Sequence, residues 1–131
     1  SMCPNKIEYI GMLPMEEVYP YMKSSDIGIA TLYPEKNYLN SLPIKAFEYM
    51  ACSMPIIMSN FPYWIEEFNE CAVFVNPKSA QDISNKINEL IANKAVMQKL
   101  GEKGKELVDT KYSWESEAVI LINLYDKILK Q

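Results

Sequence analysis

The sequence predicts an α/β fold with three layers (α/β/α) around a parallel sheet of about four strands. Three features carry that prediction. Short apolar runs alternate along the chain with stretches of helical period. The runs Ile27–Leu32 and Pro55–Ser59 are almost wholly apolar rather than alternating, as strands covered on both faces are. The chain has 131 residues, of which 49% are apolar and 23% charged, which suits one domain with its own core.

Taken in order, Ile7-Glu8-Tyr9-Ile10 is a β-prone run closed by Gly11. Met15–Lys23 has helical character, with Pro20 expected to kink or restart it because proline lacks an amide donor. Ile27–Leu32 reads as a buried strand, and Tyr33–Leu42 as a polar loop holding Pro34, Asn37, Asn40 and Ser41. Pro43–Cys52 reads as a helix, with proline at its first turn where no amide is needed. Pro55–Ser59 is a second buried strand, Tyr63–Phe68 a short helix, and Ala72–Val75 a further strand closed by Asn76-Pro77. Ser79 caps a helix from Ala80 to about Asn93, with Ile83, Ile87, Leu90 and Ile91 on one face. Helix continues over Lys94–Asp109 around Gly101 and Gly104. Ser113 caps a closing helix to Lys130, in which Trp114, Ala118, Leu121, Ile122, Tyr125, Ile128 and Leu129 share a stripe widened by Ile120 and Leu124. That stripe reads as a broad core face, or as a second contact surface. Strands alternating with helices imply parallel βαβ units, hence a Rossmann-like sheet. Residues 1–131 form a single domain, with 113–131 as its closing helix. Ser1-Met2 has the look of a cloning scar, and the chain reads as a piece of something longer.

Composition removes several function classes. There is no His, so His-based triads, His metal sites and a His pH switch are excluded. The 13 basic residues are all Lys, so bidentate arginine forks are absent. A net charge of −4 without Arg is a poor match for nucleic acid. Cys3, Cys52 and Cys71 form no CxxC pair and suggest neither zinc nor a disulfide framework, which fits a reducing cytoplasm. No apolar run approaches the ~20 residues of a membrane span. Neither GxGxxG nor a P-loop is present. Met50, Met54 and Met58 read as core fillers, and the lysines from Lys78 to Lys105 as a solvated face.

In an open parallel sheet, ligands bind at the carboxyl ends of strands. The candidate site is therefore the loop Tyr33–Leu42 and the amino end of the helix that follows. Free amides and the helix dipole there favour an anion. Asn40, Ser41 and Leu42 precede that helix and could lie against a phosphate, or Asn40 or Ser41 could simply cap it. On a helical wheel Ile44, Phe47 and Ala51 form an inner stripe, and Glu48 lies about 40° from Ile44. A carboxylate there is placed to accept from vicinal hydroxyls of a ribose, or to pair with Lys45 at i, i+3. Tyr33, Tyr38 and Tyr63 could stack on a base or sugar, or pack the loops.

The run Asn40-Ser41-Leu42-Pro43-Ile44-Lys45-Ala46-Phe47-Glu48-Tyr49-Met50-Ala51, followed by Met54-Pro55-Ile56-Ile57, resembles the donor-site segment of GT-B glycosyltransferases of family 4. The flanks agree: Ile7–Gly11, Ser25-Asp26-Ile27, Cys71–Pro77 and Tyr112-Ser113-Trp114 match the family's strands and closing helix in order and spacing. The resemblance covers Ile7–Leu129. It implies the C-terminal half of a GT-B enzyme: retaining, nucleotide-sugar-dependent, without a DxD metal motif, and with no cofactor beyond the donor substrate. Within the family's Glu-x7-Glu pattern, Glu48 matches the glutamate on the ribose. Asn40 stands where the first glutamate, facing the donor sugar, belongs, so no catalytic residue is assigned with certainty. Ser41, Leu42 and Pro43 match positions near the diphosphate. Ser53 and Ala72 stand where glycine is common.

The family's domain begins with two strands whose loops carry the Arg and Lys that neutralise the diphosphate, and nothing before Ile7 supplies them. The resemblance thus implies a partial donor-binding domain, inactive alone, that works with a missing N-terminal acceptor-binding domain. The acceptor would be a polysaccharide or a lipid-linked glycan, the latter compatible with peripheral membrane association. The alternative is a non-catalytic nucleotide-sugar-binding subunit that pairs with a separate acceptor-binding chain.

Overall fold

The structure, a computed structural model, describes residues 6–129. Ser1, Met2, Cys3 and Lys130 lie outside the described residues. In chain order the elements are α1 (Met15–Lys23), β1 (Gly28–Ala30), α2 (Lys36–Leu39), α3 (Ile44–Ala51), β2 (Ile56–Ser59), α4 (Pro62–Phe68), β3 (Ala72–Val75), α5 (Ala80–Ile91), α6 (Lys94–Thr110) and α7 (Trp114–Leu129).

The three strands form one parallel sheet in the order β1-β2-β3, with Gly28 opposite Ile56, Ala30 opposite Met58 and Ser59 opposite Val75. Each strand is added on the same side as the last. Right-handed crossovers then put both connecting helices, α3 and α4, on one face of the sheet. That face is filled by Ala30, Met50, Ile56, Met58, Trp64 and Phe68, joined by Leu107 and Val108 of α6. α5 covers the other face, where Ile57, Val75 and Leu90 meet Ile83, Ile87, Met97 and Leu100. The arrangement is the three-layer α/β/α expected. Met50, Met54 and Met58 are buried, as core fillers should be.

Several expectations are corrected. The described residues contain three strands, because Ile7–Ile10 is not one. Ile7 and Tyr9 are 72% and 91% exposed, and the run has no neighbouring strand to take its backbone hydrogen bonds. β1 is shorter than Ile27–Leu32, and it is covered on one face only, Ile29 remaining exposed. The polar loop contains a turn of helix, α2. α1 runs through Pro20 without restarting. Ile91 points to solvent, one residue past the buried face that ends at Leu90.

α7 departs most. Ser113 caps it, accepting from the Ser116 amide at 3.2 Å, but no residue of the helix is buried. The core-face reading of its stripe is therefore wrong. Ile120, Ile122, Leu124 and Ile128 all stand more than half exposed. No described helix is long and apolar enough to cross a membrane.

α3 and α6 cross closely. A Cβ at Gly101 would overlap the Ser53 carbonyl oxygen, so only glycine admits this contact. Ser53 itself closes α3 with φ +57°, the left-handed region that costs a residue bearing a Cβ roughly 1–2 kcal/mol. At the far end of α6 the Tyr112 hydroxyl donates to Glu67 Oε2 at 2.7 Å, and Lys111 Nζ lies 3.2 Å from the same oxygen. The ring of Tyr112 packs edge-on against Phe47 at 5.0 Å. Cys71 is buried, and desolvation, aided by the charge of Glu70, pushes its thiol up to about 11.

Two outcomes are expected. Ser53→Gly relieves the left-handed strain and raises stability by about 0.5–1 kcal/mol in urea denaturation. The hydrogen bond from Tyr112 and then that from Lys111 hold the Glu67 carboxyl below its usual range. That contribution is complete above the ordinary glutamate value near ~4.3 and is lost as pH falls through the lower folded-state value. Glu67→Gln should therefore be less stable than the parent at neutral pH, with the gap closing in acid. A gap independent of pH would contradict the assignment.

Candidate functional site

The carboxyl ends of β1, β2 and β3 open onto one rim of the molecule. The chain leaving β1 is tied down at two points. Ser59, the last residue of β2 and fully buried, accepts from the Leu32 amide and donates to the Leu32 carbonyl, both at 2.8 Å. One hydroxyl thus does the work of a ladder rung beyond the end of β1. At the other end of the loop, the indole of Trp64 in α4 donates from Nε1 to the Ser41 carbonyl at 2.7 Å. Trp64 is fully buried and tilts against Phe61 at 4.7 Å.

Between these anchors α2 forms. The Ser41 hydroxyl turns back to donate to the Asn37 carbonyl at 2.5 Å. Ser41 therefore closes α2 and does not cap α3. Asn40 is the residue that ends α2, exposed, and does not cap α3 either. The N-cap of α3 is Pro43, with no side-chain hydrogen bond to the first amides. Proline fixes its own φ and presents no donor, so it starts a helix without satisfying it. The first amide of α3 with a backbone acceptor is that of Ala46, which reaches the Pro43 carbonyl at 3.0 Å; those of Ile44 and Lys45 have none. These two donors and the positive end of the helix border a hollow of about 440 Å³ lined by Leu32, Tyr38, Ser41, Leu42, Pro43, Ile44, Lys45 and Trp64. Next to it, Tyr33, Pro34 and Glu35 meet Lys78, which follows β3, around a second hollow of about 460 Å³.

The structure brings Ser41, Leu42 and Pro43 together at the first hollow; Asn40 and Glu48 do not line it. The inner stripe of α3 is Ala46 and Met50, with Phe47 beside them, and not Ile44, Phe47 and Ala51. Ile44 is 77% exposed. Glu48 is four residues on and so lies on the same outward face, half-buried. It makes no ion pair with Lys45, the bland role open to it. Burial, and then the charge of Glu48, raises the Tyr49 phenol above its usual value.

Trp64 and Ser59 are the residues that sequence reasoning passed over. A signal existed for the first: a tryptophan in an apolar helix needs an acceptor for its N–H when buried. Two larger hollows lie off the strand ends. One, of about 520 Å³, is edged by Lys103, already paired with Glu106 at 3.0 Å and Glu70 at 3.4 Å. The other, of about 630 Å³, sits by Asp26 and Ile27 at the amino end of β1.

Residues 2–107 match the family described as Glycosyl transferases group 1. The chain is 28% identical over 126 residues to an uncharacterized glycosyltransferase of Methanocaldococcus jannaschii, covering 93% of this chain and 34% of that protein. It is 25% identical over 118 residues to MMP α-(1→4)-mannosyltransferase of Mycolicibacterium hassiacum, covering 87% of this chain and 27% of that one. The chain thus spans about a third or less of the length of these relatives. Among solved structures, sucrose-phosphate synthase from Thermosynechococcus elongatus superposes with a TM-score of 0.82 at 24% identity over 97% of this chain and 31% of that one, a likeness of fold alone. The C-terminal domain of a glycosyl transferase group 1 family protein from Francisella tularensis matches with a TM-score of 0.67 at 28% identity, over 80% and 53% of the two chains.

Ser59→Ala leaves the Leu32 amide and carbonyl without their partner. It should cost roughly 1–3 kcal/mol in urea denaturation. A neutral result would show that water replaces the hydroxyl at no loss.

Proposed function

The chain belongs to the glycosyl transferases group 1 family, and we propose that it is the donor-binding part of a retaining enzyme of family 4. In this reading the enzyme moves a sugar from a nucleoside diphosphate to a glycan or a lipid-linked acceptor. The observation that carries the reading is the amino end of α3, where two amides without acceptors border a hollow at the strand ends. A diphosphate suits that end, since amides and dipole both favour negative charge. Glu48, a carboxylate without an ion-pair partner among the described residues and a turn further along α3, accepts hydrogen bonds from the ribose hydroxyls. Ser41, Leu42 and Pro43 shape the backbone against the phosphates. Asn40 faces the donor sugar with an amide, which can bond hydroxyls but adds no negative charge to an oxocarbenium-like transition state.

The remaining cationic partners of the diphosphate and the acceptor site belong to a preceding region and an N-terminal domain of a longer polypeptide. The exposed stripe of α7 offers that domain an apolar face. The donor is a substrate, no metal takes part, and the enzyme works in the cytoplasm, peripherally on a membrane where the acceptor is lipid-linked. Asn40 in place of a glutamate also suits a second reading, a nucleotide-sugar-binding subunit without transfer activity.

Calorimetric titration of UDP, GDP and ADP into the longer polypeptide, and into its Glu48→Ala variant, tests the ribose assignment. Loss of a charged hydrogen bond should cost about 1.5–3 kcal/mol; equal affinities would sink it. The 131-residue chain by itself should bind no tighter than the millimolar range and transfer nothing, and turnover by it would refute the division of labour. EDTA should leave transfer by the longer polypeptide unchanged. A rate that collapses on chelation would contradict the metal-free reading.

A further inference from the structure

We propose that Trp64 is a positioning residue for the donor loop, holding Ser41 and the start of α3 in place through its indole N–H. The inference rests on the donor reading above. Its own support is geometric. The Nε1–H···O=C bond to Ser41, at 2.7 Å, joins residues 23 apart in sequence. The ring is fully buried against Phe61, so the donor is held by the core and cannot swing away. Trp64 also lines the hollow that Ser41, Leu42 and Pro43 border. The Ser41 hydroxyl is spent on Asn37, and Pro43 offers no donor, so the indole is the one side chain of the core that reaches this turn among the hydrogen bonds described. Ser59 fixes where the loop leaves β1; Trp64 fixes where it enters α3. With both ends fixed, the amides of Ile44 and Lys45 meet an anion already oriented, and binding does not have to order them.

Trp64→Phe keeps an aromatic ring against Phe61 and removes the N–H donor together with part of the ring volume. Hydrogen exchange should then speed about ten-fold at the bonded amides of Tyr38, Leu39 and Ala46, while β2 and β3 keep their protection. In the longer polypeptide the donor KM should rise about ten-fold with kcat changed less. Leu90→Ala, a core change in the cluster on the opposite face of the sheet, should move neither readout selectively. Exchange that stays unchanged at those three amides, or speeds evenly along the whole chain, overturns the anchor. Local loosening with unchanged donor KM overturns the positioning role and leaves the donor reading intact. A parent protein that binds none of UDP, GDP or ADP overturns the donor reading instead, and the exchange result still decides the anchor. Should Trp64→Phe fail to fold, the parent answers directly: the indole proton of Trp64 must exchange far more slowly than that of exposed Trp114, and equal rates overturn the proposal.

Discussion

One buried hydroxyl sets where the sheet ends and the site begins. β1 offers only three residues to its neighbour, and its pairing stops at Ala30. Leu32 would then leave two backbone groups half-buried without partners, at a joint cost of about 1–3 kcal/mol. Ser59 answers both at once. It is the one polar side chain among the fully buried residues described, which an aliphatic residue at that position could not replace. Because it fixes Leu32, the loop starts at a defined height above the sheet, and α2, the Ser41 turn and α3 follow from that starting point.

The other determinant acts on α3 from behind. Gly101 lets α6 approach the turn at Ser53, and Gly28 lets the ring of Tyr49 lie on β1. Backbone therefore sits close to backbone at the end of α3, and an aromatic ring packs directly on the strand beside it, so the helix axis has little room to tilt. The amino end of the helix is left unbonded, while its carboxyl end is clamped. Electrostatic preorganisation needs this combination: donors free to meet a ligand on an element that does not move to meet it.

Much of this was legible in the sequence, and the failures have identifiable causes. The alternation of apolar runs and helical stretches located β2, β3, α5 and α6 nearly to the residue. The run Asn40–Ala51, which carries the resemblance, does end in a helix, α3. The rotation of α3 was misread although the pattern held it: Lys45 and Glu48 share one side of the helix, and the opposite side carries Ala46 and Met50, the two buried residues. The buried face is instead the one bearing Ala46 and Met50, where Met50 meets Gly104 of α6, so close approach and hydrophobicity select the same face. Ile7–Ile10 has strand composition, but a strand exists only with a neighbour, and composition does not report neighbours. The anchoring of the loop by Ser59 and Trp64 joins residues 27 and 23 apart in sequence, and no local pattern encodes such a bond.

α7 carries a consequence of a different kind. A helix of 16 residues without a buried side chain has little to hold it beyond its own hydrogen bonds and its Ser113 cap, and a segment of that length is marginal in water. Its order is therefore conditional. A surface that covered the stripe of Ile120, Ile122 and Ile128 would add to the stability of the helix, and docking and helix formation would then be a single equilibrium. Such coupling trades affinity for reversibility. It would let the occupancy of one face of the domain be read out as the length of ordered helix at its end.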